Sequence, residues 1–413
     1  MSFVLALILT AALVACSARG DNVQQGNSVP NPTSPQLYAV EVEGKYGFVD
    51  EDGNLKFNLP DDVYTIGSFS EGLAVVAKRV PNTNGRWGYV DQTGKVVVEA
   101  RFNLALTFSE GLAAVVVSET EGTAGKIGYI DQTGRMVIQP QFDRGGVWSD
   151  YAFSEGLAAV PRTHHEWGYI DKTGKFAIEP RFHEAFSFSE GRAVVGIAEP
   201  DWAEKKYGVI DKQGRWIVEP RYELVGEFSE GLASIVVNGK VGFIDLQGQM
   251  VIQPQFSDYG QCPTSSTGTI NPISFSEGLA PVGVDWKWGF IDRSGKWVIK
   301  PAFACALPFS DGLALIGVRD EQGRWRFGYI DKAGATVIKP QFSTARSFVG
   351  KLARVSIGMS EDEALLKALE DHKAGKPKEE IEKELESKKT KYGLIDRTGK
   401  FVWSKLIRPG AAN

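Results

Sequence analysis

The sequence predicts an all-β protein built from tandem antiparallel units, and three observations predict it. One block recurs along the chain: an aromatic-Gly strand, an Asp-x-x-Gly turn, a Val/Ile strand, Pro-x-Phe, and Phe-Ser-Glu-Gly-Leu-Ala. Its turn Asp stands at Asp50, Asp91, Asp131, Asp171, Asp211, Asp245, Asp292, Asp331 and Asp396, with most steps 39 to 41 residues. The flanks of these turns are dominated by Val, Ile and aromatic residues, which suit pleated strands. A fixed period of this size marks a repeat architecture in which no unit buries its apolar face alone. The expected form is nine three-stranded β-meander units of ~40 residues in an open solenoid, with a closed β-propeller as the alternative. A count of nine exceeds the usual four to eight blades. The array also starts and ends on whole units, which favours the open form.

In chain order, the first element is an apolar run of 12 residues at 3–14. It is too short to span a bilayer and fits the core of a signal peptide. It ends in Leu13-Val14-Ala15-Cys16, which resembles the lipobox of bacterial lipoproteins, although no Lys or Arg precedes it. That resemblance implies a cleaved segment 1–15, a lipid on Cys16 and a place in the cell envelope. Residues 16–36, rich in Asn, Gln, Ser, Pro and Gly, read as a flexible tether.

The array is expected over 37–405. Within a unit the first strand is the Leu-Ala-x-Val run, as at 112–118; the second carries the aromatic-Gly pair, as at 127–131; the third follows the turn, as at 135–139. In Asp131-Gln132-Thr133-Gly134 the carboxylate can accept backbone N–H groups two residues on, and the Gly can take positive φ. The third strand carries apolar triplets such as Met136-Val137-Ile138 and Trp297-Val298-Ile299. Successive side chains point to opposite faces, so the triplets predict cover on both faces of this strand. Pro140, Pro180, Pro220, Pro254, Pro301 and Pro340 cannot donate to a ladder and are expected to end it. Phe102, Phe142, Phe182, Tyr222, Phe256, Phe303 and Phe342 are expected to plug the core between units.

Insertions interrupt the array at 143–153, with Trp148 and Tyr151, and at 257–275, with Cys262. Both follow Pro-x-Phe, which places them on one side. A short step of 34 residues comes from the tight turn Asn238-Gly239. The largest break carries Ser360-Glu361-Asp362-Glu363, a capping-box pattern. Leu365 and Leu369 follow, then Ala374-Gly375-Lys376-Pro377, then Ile381 and Leu385. This predicts a helical insertion at 359–389, docking a partner or resting as a solvated ornament. Residues 406–413 read as a tail.

The reiterated aromatic-Gly and Asp-x-x-Gly words resemble the WG-repeat family of bacterial proteins over roughly 37–405. The aromatic position holds Tyr46, Trp87, Ile127, Trp167, Tyr207, Val241, Trp288, Phe327 and Tyr392 in order, so a ring is not required in every unit. The resemblance implies an all-β repeat scaffold, often exported, and supplies no catalytic residues.

No catalytic, cofactor-binding or metal-binding residue is expected. The recurring turn Asp is a lone acid, whereas a calcium loop converges several oxygen ligands. The acids Glu71, Glu110, Glu155, Glu190, Glu230, Glu277 and Asp311 recur in the same way and read as turn residues. His164, His165, Glu166 and His183 match no zinc spacing and read as surface residues. Cys262 and Cys305 follow Pro-x-Phe in adjacent units. A disulfide between them and two separate thiols are both compatible with export. Ten Trp residues raise a glycan-binding reading. Trp216 and Trp297 read as core, and Trp148, Trp202, Trp286 and Trp325, in or near loops, are the candidate ligand-facing rings. A net charge of −5 with no basic cluster argues against nucleic acid or anionic lipid as an electrostatic partner. The function expected is a non-enzymatic, lipid-anchored cell-envelope scaffold for protein partners, with a cell-wall or extracellular glycan module as the alternative.

Overall fold

The computed structural model describes residues 36–42, 44–118, 120, 123–145, 151–163, 165–198, 205–257, 273–358, 367–368, 371, 373–374, 376–377, 380–381 and 390–407. They form two compact units. One holds Glu51–Asn54 with the described residues from 273 onward; the other holds the described residues of 36–50 and 55–257. Both are built of antiparallel meanders.

Strand Leu112–Val117 pairs with Lys126–Asp131, which pairs in turn with Met136–Phe142. Most sheets carry a fourth strand beyond the three expected. It runs over Val63–Ser70 and Cys305–Ser310 in two places and is otherwise two residues long, as at Leu104–Ala105, where Leu104 pairs with Val116 and Ala105 with Val115. A pair of residues has no periodicity, so patterning could not reveal it.

The doubly covered strands are the first and second, not the third. Residues 112–116 and 127–130 are all buried. Along Met136–Phe142 burial alternates: Ile138 and Phe142 face the core, while Val137 is 41% exposed. Val97, Val251, Val298 and Val337 are exposed at the same step. The apolar triplet therefore reflects strand propensity at its middle position rather than a second core face. Trp216 and Trp297, expected as core, are half-buried at the start of this strand.

Proline does not end the third strand either. Ile127 pairs with Phe142 and Tyr129 with Ile138, so Gln139, Pro140 and Gln141 together oppose Gly128. The strand absorbs proline in a bulge, where a missing ladder donor is tolerated. The bulge crowds the facing glycine. A Cβ on Gly128 would lie 2.7 Å from the Ile138 carbonyl oxygen and 2.9 Å from the Pro140 nitrogen. Gly88, Gly168, Gly208, Gly242, Gly289 and Gly328 meet the corresponding backbone oxygen at 2.4 to 2.6 Å. The glycine of the repeated pair is thus required by the bulged strand beside it.

Neighbouring sheets meet through aromatic side chains. Tyr129 is fully buried, lies edge-on to Phe153 at 5.0 Å and donates its hydroxyl to the Tyr151 carbonyl at 2.8 Å. Tyr89 reaches Leu106, Tyr169 reaches Phe186 and Tyr329 reaches Arg346 in the same manner. Burying each ring contributes about 2 kcal/mol, and the bonded hydroxyl removes the penalty of a buried polar group. Burial raises the pKa of Tyr89, Tyr169 and Tyr329.

Cys305 is buried and disulfide-bonded; its candidate partner Cys262 lies outside the described residues. Positions 367–368, 371, 373 and 380–381 are helical; most of the expected helical insertion is likewise outside them, as are 1–35.

Candidate functional site

Each full unit has a turn end and a hairpin end. Asp131 pairs with Leu112, so the Asp-x-x-Gly turn closing the second strand sits beside the Ser-Glu-Gly turn opening the first. The carboxylate of Asp131 accepts hydrogen bonds from Thr133 N at 3.0 Å, Thr133 Oγ1 at 2.6 Å and Arg135 N at 3.1 Å. The Thr133 hydroxyl first, with the Arg135 and Thr133 amides and the Arg135 side chain, outweighs burial and holds its pKa at about 2. The Thr173 hydroxyl does the same for Asp171, and that of Ser294 for Asp292, lowering each.

The Ser-Glu-Gly acids do more than turn the chain. Glu71, Glu110, Glu155, Glu190, Glu230, Glu277 and Asp311 all lie at φ between 51° and 55°, a left-handed conformation that is unfavourable for a side-chain-bearing residue. Glu110 accepts the amide of Gly156, the matching turn of the next sheet, at 3.0 Å. Glu71 takes Gly111 at 2.9 Å, Glu155 takes Gly191 at 3.0 Å, Glu190 takes Gly231 at 2.8 Å and Glu277 takes Gly312 at 2.9 Å. Each turn serine donates to the next sheet as well: Ser70 to Phe108 O, Ser109 to Phe153 O, Ser154 to Phe188 O and Ser189 to Phe228 O, at 2.6 to 2.8 Å. Lysines following the turn Asp complete the join, with Lys172 on Glu110 at 3.1 Å and Lys212 on Glu155 at 3.0 Å.

At the junction after Asp245 the cation is placed differently. Leu246 stands where a lysine would follow the turn Asp, and Arg192 stands in the first-strand Leu position. Arg192 Nε donates to the Leu246 carbonyl at 2.8 Å, so the cation comes from the other side of the same junction. Beside it Gly191, Arg192, Asp211, Lys212 and Arg215 line a shallow recess of about 470 Å³. Arg215 pairs with Asp211 at 2.8 Å and Lys212 with Glu155, so the turn-end charges are largely paired among themselves.

At the hairpin end the recurrent grammar gives way to single residues. Strands Leu279–Val284 and Lys287–Asp292 are joined by Asp285 and Trp286, at φ 49° and 62°. The corresponding turn Asn238-Gly239, at φ 49° and 66°, has the residues this geometry prefers. Trp286 is 74% exposed. Trp325, also expected to face a ligand, is half-buried: Arg319 sits 3.9 Å from its centroid and Phe327 lies parallel at 5.8 Å. Trp148 and Trp202 lie outside the described residues, as do Cys16 and His164. His183 accepts the Ala198 amide through Nδ1 at 3.1 Å, and His165 is exposed. Among the described residues no three His, Cys, Asp or Glu side chains converge on a metal-sized site.

Sequence reasoning missed the serine donors, the tyrosine hydroxyls and the reach of the Glu side chains to the next sheet. Their recurrence at fixed offsets was the available signal, but recurrence does not say which sheet receives the bond.

The pattern of the WG containing repeat matches residues 87–119, 127–160, 167–197, 207–240, 242–261, 288–321 and 327–358, together more than half of the chain. No curated protein sequence matches. Among solved structures, a crystal structure of a eukaryotic initiation factor is similar in fold at 14% identity and TM-score 0.57, over 91% of this chain and 96% of that one. Apo AztD from Citrobacter koseri aligns at 12% identity and TM-score 0.40, over 83% and 95%. The Dos1 propeller aligns at 13% identity and TM-score 0.36, over 69% and 87%.

Proposed function

We propose that this chain, which belongs to the WG containing repeat family, is a non-enzymatic scaffold that binds a protein partner at its hairpin ends. One observation carries the reading. The recurring polar side chains are engaged in joining sheet to sheet, whereas Trp286, the most exposed large apolar side chain among the described residues, is singular and sits on a strained tip. Strain of this kind persists where the surroundings hold it and concentrates at working sites. Trp is also among the residue types most enriched in the few that dominate binding at interfaces.

The proposal includes export and a lipid anchor on Cys16, supported by the Leu13-Val14-Ala15-Cys16 motif and the polar stretch after it. Metabolic labelling with a fatty acid tests this: Cys16→Ala should lose the label and the membrane fraction, and retention of either removes the anchor. Photo-crosslinking from position 286 tests the scaffold. A discrete protein adduct, abolished by competing unlabelled protein but not by its Trp286→Ala variant, is expected. A hydrolase panel showing turnover would overturn the non-enzymatic reading.

A second reading, glycan binding, is favoured by the same ring, because an exposed indole stacks on a sugar face. Retention on purified peptidoglycan that Trp286→Ala abolishes would select it over the first.

A further inference from the structure

We infer that Glu51 and Lys351 form a sign-reversed clasp, through which the turn Glu51–Asn54 recognises the turn before strand Ala353–Ile357 in preference to the other turns. After five of the turn Asp residues the next residue is a cation, and at others it is Gln92, Gln132 or Leu246. The Ser-Glu-Gly turn of the preceding sheet supplies the acid, which Gln132 meets by a neutral hydrogen bond at Glu71. Lys172 meets Glu110 at 3.1 Å and Lys212 meets Glu155 at 3.0 Å. In the unit that contains the clasp, Lys332 meets Glu277 at 2.9 Å and Arg397 approaches Asp311 at 4.0 Å. After Asp50 the residue is Glu51, an acid. Its partner is Lys351, in Phe348-Val349-Gly350-Lys351-Leu352, where other units read Phe-Ser-Glu-Gly-Leu.

Two further observations show a seat rather than a chance contact. A Cβ on Gly53 would fall 2.2 Å from the carbonyl oxygen of Val402 and 2.8 Å from its carbon, so the turn presses on strand Phe401–Ile407 by backbone. A Cβ on Gly334 or Gly399, at the same step of their turns, would lie 3.2 or 3.1 Å from the side chain of Ile299 or Ile338 in the third strand of the preceding sheet. Gly53 thus faces the third strand of a neighbouring sheet as Gly334 and Gly399 do, but against backbone rather than an isoleucine side chain, and its charged partner stands at the Gly position of the facing turn. Lys351 also has its pKa raised, by the Glu51 hydrogen bond first and by its charge.

The exchange disfavours the other pairings, since Gln92, Gln132 and Leu246 offer Lys351 no opposite charge. Glu51 on any Ser-Glu-Gly turn would face a like charge, and Lys351 beneath Lys172, Lys212, Lys332 or Arg397 would do the same. Juxtaposed like charges reject wrong partners. The selectivity is placed where it matters: ordinary junctions join neighbours in sequence, whereas these two residues stand 300 positions apart and must find each other among similar turns.

The test is a charge-swap cycle on the full chain: Glu51→Lys, Lys351→Glu and the double exchange, with Glu51→Gln as a milder variant. Two readouts are taken, amide exchange at 53–54 and 401–402, and monomer yield after refolding from denaturant at increasing protein concentration. Each single reversal should speed local exchange about threefold to tenfold and raise the oligomeric fraction, with Glu51→Gln intermediate. The double exchange should restore amide protection but not monomer yield, because the swapped pair then carries its charges in the same sense as the junctions of Lys172, Lys212, Lys332 and Arg397. Wild-type behaviour of the single reversals in either readout overturns the inference. So does a double exchange that restores both readouts, or neither.

Discussion

Gly168→Ala is the most direct test of why glycine follows the aromatic in each unit. The added Cβ would stand 2.6 Å from the Ile178 carbonyl oxygen, 2.7 Å from the Pro180 nitrogen and 3.0 Å from its Cα. An ordinary carbon–oxygen contact is about 3.3 Å, so the bulge must retreat by about 0.7 Å. All three atoms are backbone, and no rotamer change can clear them. Overpacking of this kind costs about 1–3 kcal/mol. The lower entropy of the unfolded alanine chain offsets about 0.5–1 kcal/mol of it, leaving a net loss centred on about 1 kcal/mol and reaching about 2.5 kcal/mol. The assay is a denaturant midpoint together with amide exchange along strand Glu166–Ile170, because a tandem array need not unfold in one step. Val298→Ala, at a position 48% exposed, serves as control and should change stability by less than about 0.5 kcal/mol. A Gly168→Ala protein with the parental midpoint and exchange rates would refute the steric account.

Trp286→Gly should stabilise the fold by about 1 kcal/mol in a denaturant titration, since glycine suits φ 62°, while weakening partner binding in the crosslinking assay; a fall in stability would deny the strain. Tyr169→Phe removes the 2.8 Å bond to Phe186 O and leaves that carbonyl without its donor, so a loss of about 1–2 kcal/mol is expected by denaturation. For Asp131 the folded pKa of about 2 lies below the ordinary value of 3.8. Its contribution is therefore present above about pH 4 and lost as the pH falls toward 2. Thr133→Ala removes the largest cause and should move the carboxyl upward in an NMR titration, with less acid-induced loss of stability; an unmoved titration would show that the backbone donors suffice.

The repeated turns, the strand order and the all-β class were legible because each rests on local chemistry: Asp and Gly at fixed offsets and β-branched flanks. What escaped reading depended on a neighbouring strand or sheet. Val137 looked like a core residue because its neighbours are apolar, yet the alternation of Met136–Phe142 leaves it facing solvent. Pro140 looked like a terminator, and only the register with Gly128 reveals the bulge. Glu110 looked like a turn residue until its bond to Gly156, 46 positions on, became visible. Of the candidate rings, Trp286 stands out to solvent as loop placement suggested, while Trp325 is held between Arg319 and Phe327 by contacts no spacing rule encodes.

The proline bulge has a consequence for the company this protein keeps. Strands Met136–Phe142, Phe176–Phe182 and Trp216–Tyr222 each end their sheets, the first two with an apolar side chain, Val137 or Ala177, turned to water. Such edges invite a foreign strand to add on. Here the invader meets a residue without an amide and a kinked backbone, and finds no straight ladder to extend. Strand Val96–Phe102 carries Ala100 at that step, recovers the amide, and exposes Val97. The third strands Leu55–Asn58 and Phe401–Ile407 also end their sheets without proline; if this molecule ever accepts a strand from another chain beside a third strand, it is at one of these three that the door has no bolt.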